Sequence, residues 1–208
     1  MKSWPSIFYG VLFLLIGDCS AFAADVRALL GSLKDGGYVI VFRHGATDDS
    51  QKDVYPFKFD DMKAQRQLSD KGRATARQIG AAIGQLGIPI GEVYTSRLNR
   101  GIETGELLAA KQVKGVDGLT DSGAGAASAM ANPAGTNAKA GSAVRELVNA
   151  PPKAGTNTLL VTHKTNFADA FGKDAGDVQE AEAFVYKSNP PDPAKLVGRI
   201  KAADWTNP

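Results

Sequence analysis

Two short segments of this 208-residue chain consist almost entirely of apolar and β-branched residues, and each leads to a histidine. The first is Tyr-Val-Ile-Val-Phe at residues 38–42, and the second is Thr-Leu-Leu-Val-Thr at residues 158–162. Runs without polar–apolar alternation are typical of strands buried on both faces of a sheet. The histidines that follow, His44 and His163, are the only two in the chain. The sequence therefore predicts two central strands, each with a histidine at its carboxyl end.

The segments between and after these strands alternate between helical and extended patterns. Apolar residues recur at helical spacing after Ser69, after Ser96 and around residues 143–148, and a short helix is expected from Asn166. Ser69 and Ser96 are expected to cap the two helices that follow them. Residues 92–95 favour a short strand, and residues 183–186 and 196–200 favour two antiparallel edge strands. This alternation predicts an α/β three-layer sandwich whose mostly parallel central sheet is flanked by helices. Residues 48–67 and the Gly/Ala-rich residues 115–141 are expected to form surface excursions.

Composition agrees with one globular domain, which we place at residues 24–208. The chain is 43% hydrophobic and 22% charged, and it is long enough for one sizeable core. Its net charge is only +2, and its Lys and Arg residues are scattered. A basic face for nucleic acid is therefore not expected.

The first 23 residues have the pattern of a secretory signal peptide. Lys2 precedes a short apolar stretch at residues 7–16, and Ala-Phe-Ala follows at residues 21–23. The stretch is too short to span a bilayer as a helix, so we expect cleavage before Ala24 rather than membrane anchoring. Cys19, the only cysteine, would leave with the signal peptide. We therefore expect a periplasmic or secreted protein that has no cysteine and no stable membrane insertion after cleavage.

The positions of the histidines predict a ligand site. Ligands of open α/β sheets gather at the carboxyl ends of strands, so His44 and His163 meet if their strands are neighbours. Arg43 precedes His44, and Arg100 is expected in the first turn of the helix that follows Ser96. A guanidinium and a helix N-terminus both favour phosphate oxygens. The sequence therefore predicts a site for a phosphate dianion.

Four segments then show a resemblance to a known family. They are Arg-His-Gly-Ala-Thr at 43–47, Leu-Ser-Asp-Lys-Gly at 68–72, Tyr-Thr-Ser-Arg-Leu-Asn-Arg-Gly-Ile-Glu-Thr at 94–104 and Leu-Val-Thr-His at 160–163. Each resembles a motif of the histidine phosphatase (phosphoglycerate mutase-like) superfamily, and they occur in the family's order and at the expected spacing. The resemblance covers most of residues 38–172.

This resemblance implies a catalytic core of Arg43, His44, Arg100 and His163, in which His44 becomes phosphorylated. Because arginines neutralise the phosphate, neither a metal ion nor a cofactor is expected. Arg66, in a Gln-Arg pair similar to one in exported members of the superfamily, and the hydroxyl of Thr47 are candidate substrate-binding groups. The implied substrate is a small phosphorylated compound or an envelope saccharide phosphate.

The general acid that protonates the leaving group is the least defined part of the site. Part of the family carries a glutamate after a Leu-x step, and the nearest match is Asp121 in Leu-Thr-Asp. Glu180 and Glu182 are the alternatives. Another branch has His-Asp at the second histidine, but here Lys164 follows His163.

Several functions fit these residues. The first is an exported phosphomonoesterase that works through phosphohistidine. The second is a phosphate-binding pseudo-phosphatase that has lost turnover, an alternative that the uncertain acid leaves open. A metal-dependent hydrolase is disfavoured because two histidines are too few ligands and Arg43 would repel a cation. A mutase is disfavoured by the predicted export.

Overall fold

The computed structural model describes residues 19–121 and 137–206. Its helices are α1 (Cys19–Ser32), α2 (Asp70–Gln85), α3 (Asn99–Ala109), α4 (Ala138–Asn149) and α5 (Lys164–Phe171). Its strands are β1 (Tyr38–Arg43), β2 (Ile90–Thr95), β3 (Lys114–Gly115), β4 (Asn157–Thr162), β5 (Ala183–Lys187) and β6 (Lys195–Ile200). Short 3₁₀ turns lie at Leu33–Asp35, Met62–Ala64, Asp117–Leu119, Lys173–Asp177 and Ala202–Trp205.

Two sequence predictions fall largely outside these residues. Most of the predicted signal peptide lies at residues 1–18, and most of the expected excursion at 115–141 lies at residues 122–136. The predicted cleavage point before Ala24 falls within α1. Among the described helices, none has both the length and the apolar content that a bilayer crossing needs.

One six-stranded sheet forms the centre of the fold, in the order β3-β2-β4-β1-β5-β6. The first four strands in this order are mutually parallel, and β5 runs antiparallel to both β1 and β6. The predicted fold class, a mostly parallel sheet flanked by helices, is confirmed. The prediction that β5 is an edge strand is wrong, because it lies between β1 and β6 and only β6 is at the edge.

The two faces of the sheet build separate apolar cores. On β1, Ile40 and Phe42 face the core shared with α1, α2 and α3, and Val39 and Val41 face the core shared with α4 and α5. All four side chains are fully buried. Burial of each contributes about 1.5–3 kcal/mol relative to exposure. Polar and apolar residues do not alternate in this strand because helices cover both faces of the sheet. β1 and β4 therefore lie at its buried centre.

The start of α2 fixes the loop that follows His44. Ser69 caps the helix by accepting a hydrogen bond from the Gly72 N–H at 3.1 Å, as predicted, and its own N–H donates to the Ala46 carbonyl. A Cβ on Gly72 would lie 2.1 Å from the Ala46 oxygen, so only glycine permits this close approach. Thr47 pairs with Leu68 as an isolated bridge. These contacts hold the Arg-His-Gly segment against the N-terminus of α2.

Candidate active site

The two histidines lie side by side at the carboxyl end of the sheet. β1 and β4 are parallel neighbours, with Arg43 opposite Thr162, and the His44 N–H donates to the Thr162 carbonyl at 3.1 Å. The imidazole centroids of His44 and His163 are 5.0 Å apart, and both side chains are buried. The juxtaposition expected from the sequence therefore arises directly from the sheet order.

The hydrogen bond of His44 determines which of its ring nitrogens carries the proton. Nδ1 lies 2.7 Å from the carbonyl oxygen of Gly45. A carbonyl only accepts, so Nδ1 carries the hydrogen in the neutral ring. Nε2 therefore keeps its lone pair, as a nucleophile must.

Ser96 orients the second histidine. Its Oγ accepts a hydrogen bond from the Leu98 N–H at 3.1 Å and lies 2.7 Å from His163 Nε2. His163 Nδ1 lies 3.9 Å from Asp121 Oδ2, which can only accept, so we assign the ring proton to Nδ1 and the Ser96 hydroxyl proton to the bond with Nε2. The prediction that Ser96 caps α3 is wrong, since the helix begins only at Asn99 and Ser96 binds the histidine instead.

Both histidines are held in the neutral form. Burial lowers the pKa of His44 well below its usual value, and the charges of His163 and Arg100 lower that pKa further. Burial likewise lowers the pKa of His163, with additional effects from Arg100, Arg66 and Arg43. Since protonation would remove the lone pair of His44 Nε2, these shifts keep that lone pair available well into the acidic range.

Arg100 is buried completely, in the first turn of α3 as predicted. Its Nη1 donates to Asp53 Oδ1 at 2.9 Å, and its Nη2 donates to Asp121 Oδ2 at 3.3 Å. Each Nη atom thus binds one carboxylate, and the second N–H of each Nη atom remains as a donor together with Nε. A phosphate could bind Arg100 through these remaining donors while both carboxylates stay in place.

Two further arginines contribute positive charge. Arg43 donates from Nη1 to the Val178 carbonyl at 2.9 Å and lies 3.5 Å from Glu180 Oε1 through Nη2. Arg66 is half-buried; burial lowers the pKa of Arg43 and of His163, and the positive charge of Arg66 adds to both shifts. Its backbone N–H donates to Asp53 Oδ1 at 2.9 Å. Asp53 thus connects Arg66 to Arg100.

Four N–H donors of this cluster are buried without a hydrogen-bond partner among the described residues. They are the Nε atoms of Arg43, Arg66 and Arg100 and the Nδ1 atom of His163. A buried donor without an acceptor costs about 1–3 kcal/mol, so such groups are rare in folded proteins. A phosphate dianion offers acceptors to several donors at once. The donor set therefore fits an anion site beside His44.

The three candidate acids have different surroundings. Asp121 Oδ2 lies 3.9 Å from His163 Nδ1, and Oδ1 accepts a hydrogen bond from the Thr165 hydroxyl at 2.7 Å. Glu180 is partly exposed beside Arg43. Glu182 is buried and accepts hydrogen bonds from Arg199 Nε and the Gln179 N–H, which makes it a link between β6 and the loop before β5. Asp121 is thus the carboxylate beside the histidine pair.

Sequence reasoning missed two residues that build the site, and it treated a third only as part of a motif. Asp53 sits in an irregular loop and carries no local pattern, and Ser96 was interpreted as a helix cap. Gln65 is buried, and its amide donates to the Phe59 carbonyl and accepts from the Asn99 N–H. In the sequence, the only sign that Gln65 holds this loop in place is its position in the Gln-Arg pair at residues 65–66. Thr47 lies in the adjoining loop, where its bridge to Leu68 is a backbone contact.

A family model described as the histidine phosphatase superfamily, branch 1, matches residues 39–135. This range includes His44 and all three arginines of the site, and the sheet brings His163 to them from outside it. The chain is therefore similar to the histidine phosphatase superfamily over these residues, which make up just under half of its length. A search of curated proteins gave no match.

Solved structures of phosphatases share this fold at low sequence identity. The protein histidine phosphatase SixA complexed with tungstate is 14% identical, with a TM-score of 0.53 over 80% of this chain and 98% of its own. Phosphoserine phosphatase from Entamoeba histolytica, in complex with 3-phosphoglyceric acid, is 13% identical, with a TM-score of 0.56 over 81% and 98%. Mycobacterial glucosyl-3-phosphoglycerate phosphatase is 18% identical, with a TM-score of 0.54 over 77% and 97%.

Proposed function

We propose that this protein is an exported, metal-independent phosphomonoesterase that works through a phosphohistidine on His44. The match to the histidine phosphatase family model and the phosphatase neighbours support phosphatase activity in general. The observation that carries the finer proposal is the neutral, buried His44 with an available Nε2 beside the four buried donors without partners. This arrangement places a nucleophile beside a site that can bind the phosphate group it attacks.

The chemistry follows from this arrangement. A phosphate dianion bound by the arginines loses much of its repulsion toward a nucleophile, since opposite unit charges at 4 Å attract by about 4 kcal/mol at an effective dielectric of 20. Nε2 of His44 attacks phosphorus while the bond to the leaving oxygen breaks, and that oxygen takes up a proton. His163 donates from Nδ1 to a phosphoryl oxygen as charge shifts in the transition state. Water then cleaves the P–N bond, which releases phosphate and restores His44.

Arginines replace a metal ion in this proposal. Three guanidiniums share the site with the histidines, and their charge opposes the binding of a cation. Within the described parts of the chain, no cluster of three ligand-type side chains has an arrangement suited to a metal ion. The small phosphorylated substrate is proposed to come from the cell envelope, because residues 1–23 have the signal peptide pattern. Recovery of a chain beginning at Ala24 from the periplasm is the result expected for export.

A trapping experiment tests the proposed function. Mature protein mixed briefly with ³²P-labelled acetyl phosphate and quenched in alkali is expected to retain label that is stable to base and lost in acid. Steady hydrolysis of p-nitrophenyl phosphate is expected to continue in excess chelator. Label without turnover would identify the phosphate-binding pseudo-phosphatase instead, and neither label nor turnover would refute the proposal.

Asp121 is the proposed proton donor to the leaving group. Of the three candidate carboxylates it is the one beside His163 Nδ1, at 3.9 Å. Both of its oxygens already accept hydrogen bonds, Oδ2 from Arg100 Nη2 and Oδ1 from the Thr165 hydroxyl. Substrates whose leaving groups need little protonation should depend least on a carboxylate held in this way.

Asp121→Asn is expected to lower kcat/KM for ethyl phosphate by about 10²-fold and to change that for p-nitrophenyl phosphate by less than about threefold. An alkoxide needs a proton as it leaves, whereas a nitrophenolate does not. The measurement is the ratio of the two rates in wild type and variant. Glu180→Gln is the control and should leave the ratio unchanged. Equal losses on both substrates would assign Asp121 to phosphate binding rather than proton transfer.

A further inference from the structure

A cavity of about 550 Å³ adjoins the candidate active site. It is lined by Tyr55, Phe57, Asp117, Gly118, Thr120, Asp121, Asn137, Lys139, Ala140 and Ala143. Asp121 belongs to both sites, because the same carboxylate binds Arg100. A group attached to a phosphate bound beside His44 would therefore extend into this cavity. Its volume is in the range of small-molecule sites and exceeds what a short aliphatic group fills.

Two aromatic side chains form the wall that the 48–67 loop contributes. Tyr55 and Phe57 meet edge to face, with 5.8 Å between ring centroids, and Phe57 contacts Phe59 at 5.9 Å. Tyr55 is 63% exposed, and Phe57 is partly exposed. The Tyr55 ring thus presents a largely uncovered surface to the cavity.

Neighbouring side chains hold this aromatic wall in place. The Arg97 guanidinium lies 4.0 Å from the Phe59 ring centroid, and Arg97 also forms a 2.9 Å ion pair with Asp117, which lines the cavity. The Gln65 amide donates to the carbonyl oxygens of Lys58 and Phe59 and accepts from the Asn99 N–H at the start of α3. The loop is therefore anchored to both α3 and the 117–119 turn, which favours a preformed wall.

Most polar side chains of the cavity already have partners. Asp117 binds Arg97, the Thr120 hydroxyl accepts from the Arg97 N–H and donates to the Val116 carbonyl, and Asn137 caps α4 by accepting from the Ala140 N–H. Apart from the Lys139 side chain and the Asp121 carboxylate, these contacts leave ring faces and small apolar side chains as the surfaces for a ligand. The cavity therefore favours an occupant with a flat or apolar-faced ring.

We propose that this cavity binds the leaving group of the substrate, and that the leaving group carries a ring which packs against Phe57 and Tyr55. The inference rests on the proposed phosphomonoesterase function for the placement of the phosphate. Phe57 and Tyr55 are then the residues that determine substrate specificity. Short aliphatic phosphomonoesters, which have no ring, are expected to bind poorly.

Non-hydrolysable phosphonates test the proposal without requiring turnover. Benzylphosphonate and ethylphosphonate share the charged head and differ in the ring. Benzylphosphonate is expected to bind the wild-type protein about tenfold more tightly in calorimetric titrations. Phe57→Ala is expected to remove most of this difference and to leave ethylphosphonate affinity within about twofold. Phe57→Leu, which keeps apolar bulk without the flat face, should have an intermediate effect if Phe57→Ala fails to fold.

Val54→Ala provides the matched control, because Val54 is 46% exposed in the same loop and does not line the cavity. It should change neither affinity. Equal binding of the two phosphonates by the wild-type protein would overturn the inference, as would equal weakening of both by Phe57→Ala. Hydrolysis of p-nitrophenyl phosphate is measured separately. Ring selectivity without hydrolysis would refute the proposed function and leave the cavity assignment standing.

Discussion

His44→Ala is expected to reduce hydrolysis of p-nitrophenyl phosphate by at least about 10⁴-fold and to abolish the labelled phosphoenzyme. The substitution removes the only ring nitrogen of the site that has a lone pair available, since His163 accepts a hydrogen bond on Nε2 from Ser96 in the assignment made above. His163 cannot replace it without losing that bond. The measurements are steady-state rates and acid-labile label on the protein.

Phosphate binding distinguishes a chemical from a structural effect of this variant. The three arginines and His163 remain in His44→Ala, so affinity for inorganic phosphate should stay within about tenfold of the wild-type value. The far-ultraviolet circular dichroism should also be unchanged. Hydrolysis near the wild-type rate in a folded His44→Ala protein would exclude the phosphohistidine mechanism.

Arg100→Met is expected to lower kcat/KM by about 10³-fold. The guanidinium is fully buried between Asp53 and Asp121, so its removal takes a cation from the phosphate site and leaves two uncompensated carboxylates beside it. Loss of one partner from a buried ion pair also costs about 3–5 kcal/mol of folding free energy. Rates and urea unfolding curves measure the two effects separately.

A second substitution separates stability from activity at Arg100. Asp53→Asn added to Arg100→Met should recover part of the lost folding free energy, because it removes one unpaired charge, and should leave the rate low. Arg73→Met is the matched control, since Arg73 forms a comparable 2.7 Å ion pair with Glu103 between α2 and α3. It should leave the rate unchanged. Full activity in folded Arg100→Met would remove Arg100 from the proposed mechanism.

Much of the fold could be predicted because its signals are local. The apolar run at β1 requires helices on both faces, and Ser69 caps α2 through a bond to a residue three positions later. The interior position of β5 could not be predicted in this way. Strand order depends on pairing between distant segments, and β5 carries no local feature that distinguishes a strand beside β1 from one at the edge.

The sequence by itself determined the chemical identity of the site: which residues follow the central strands, and that they are histidines and an arginine suited to a phosphate dianion. Only the tertiary structure decided how those residues are oriented. Asp53 reaches Arg100 across 47 positions, and Ser96 reaches His163 across 67. A side chain's hydrogen-bond partner depends on which segments pack together, so the ring protons and the direction of the guanidinium arise only once the sheet has formed.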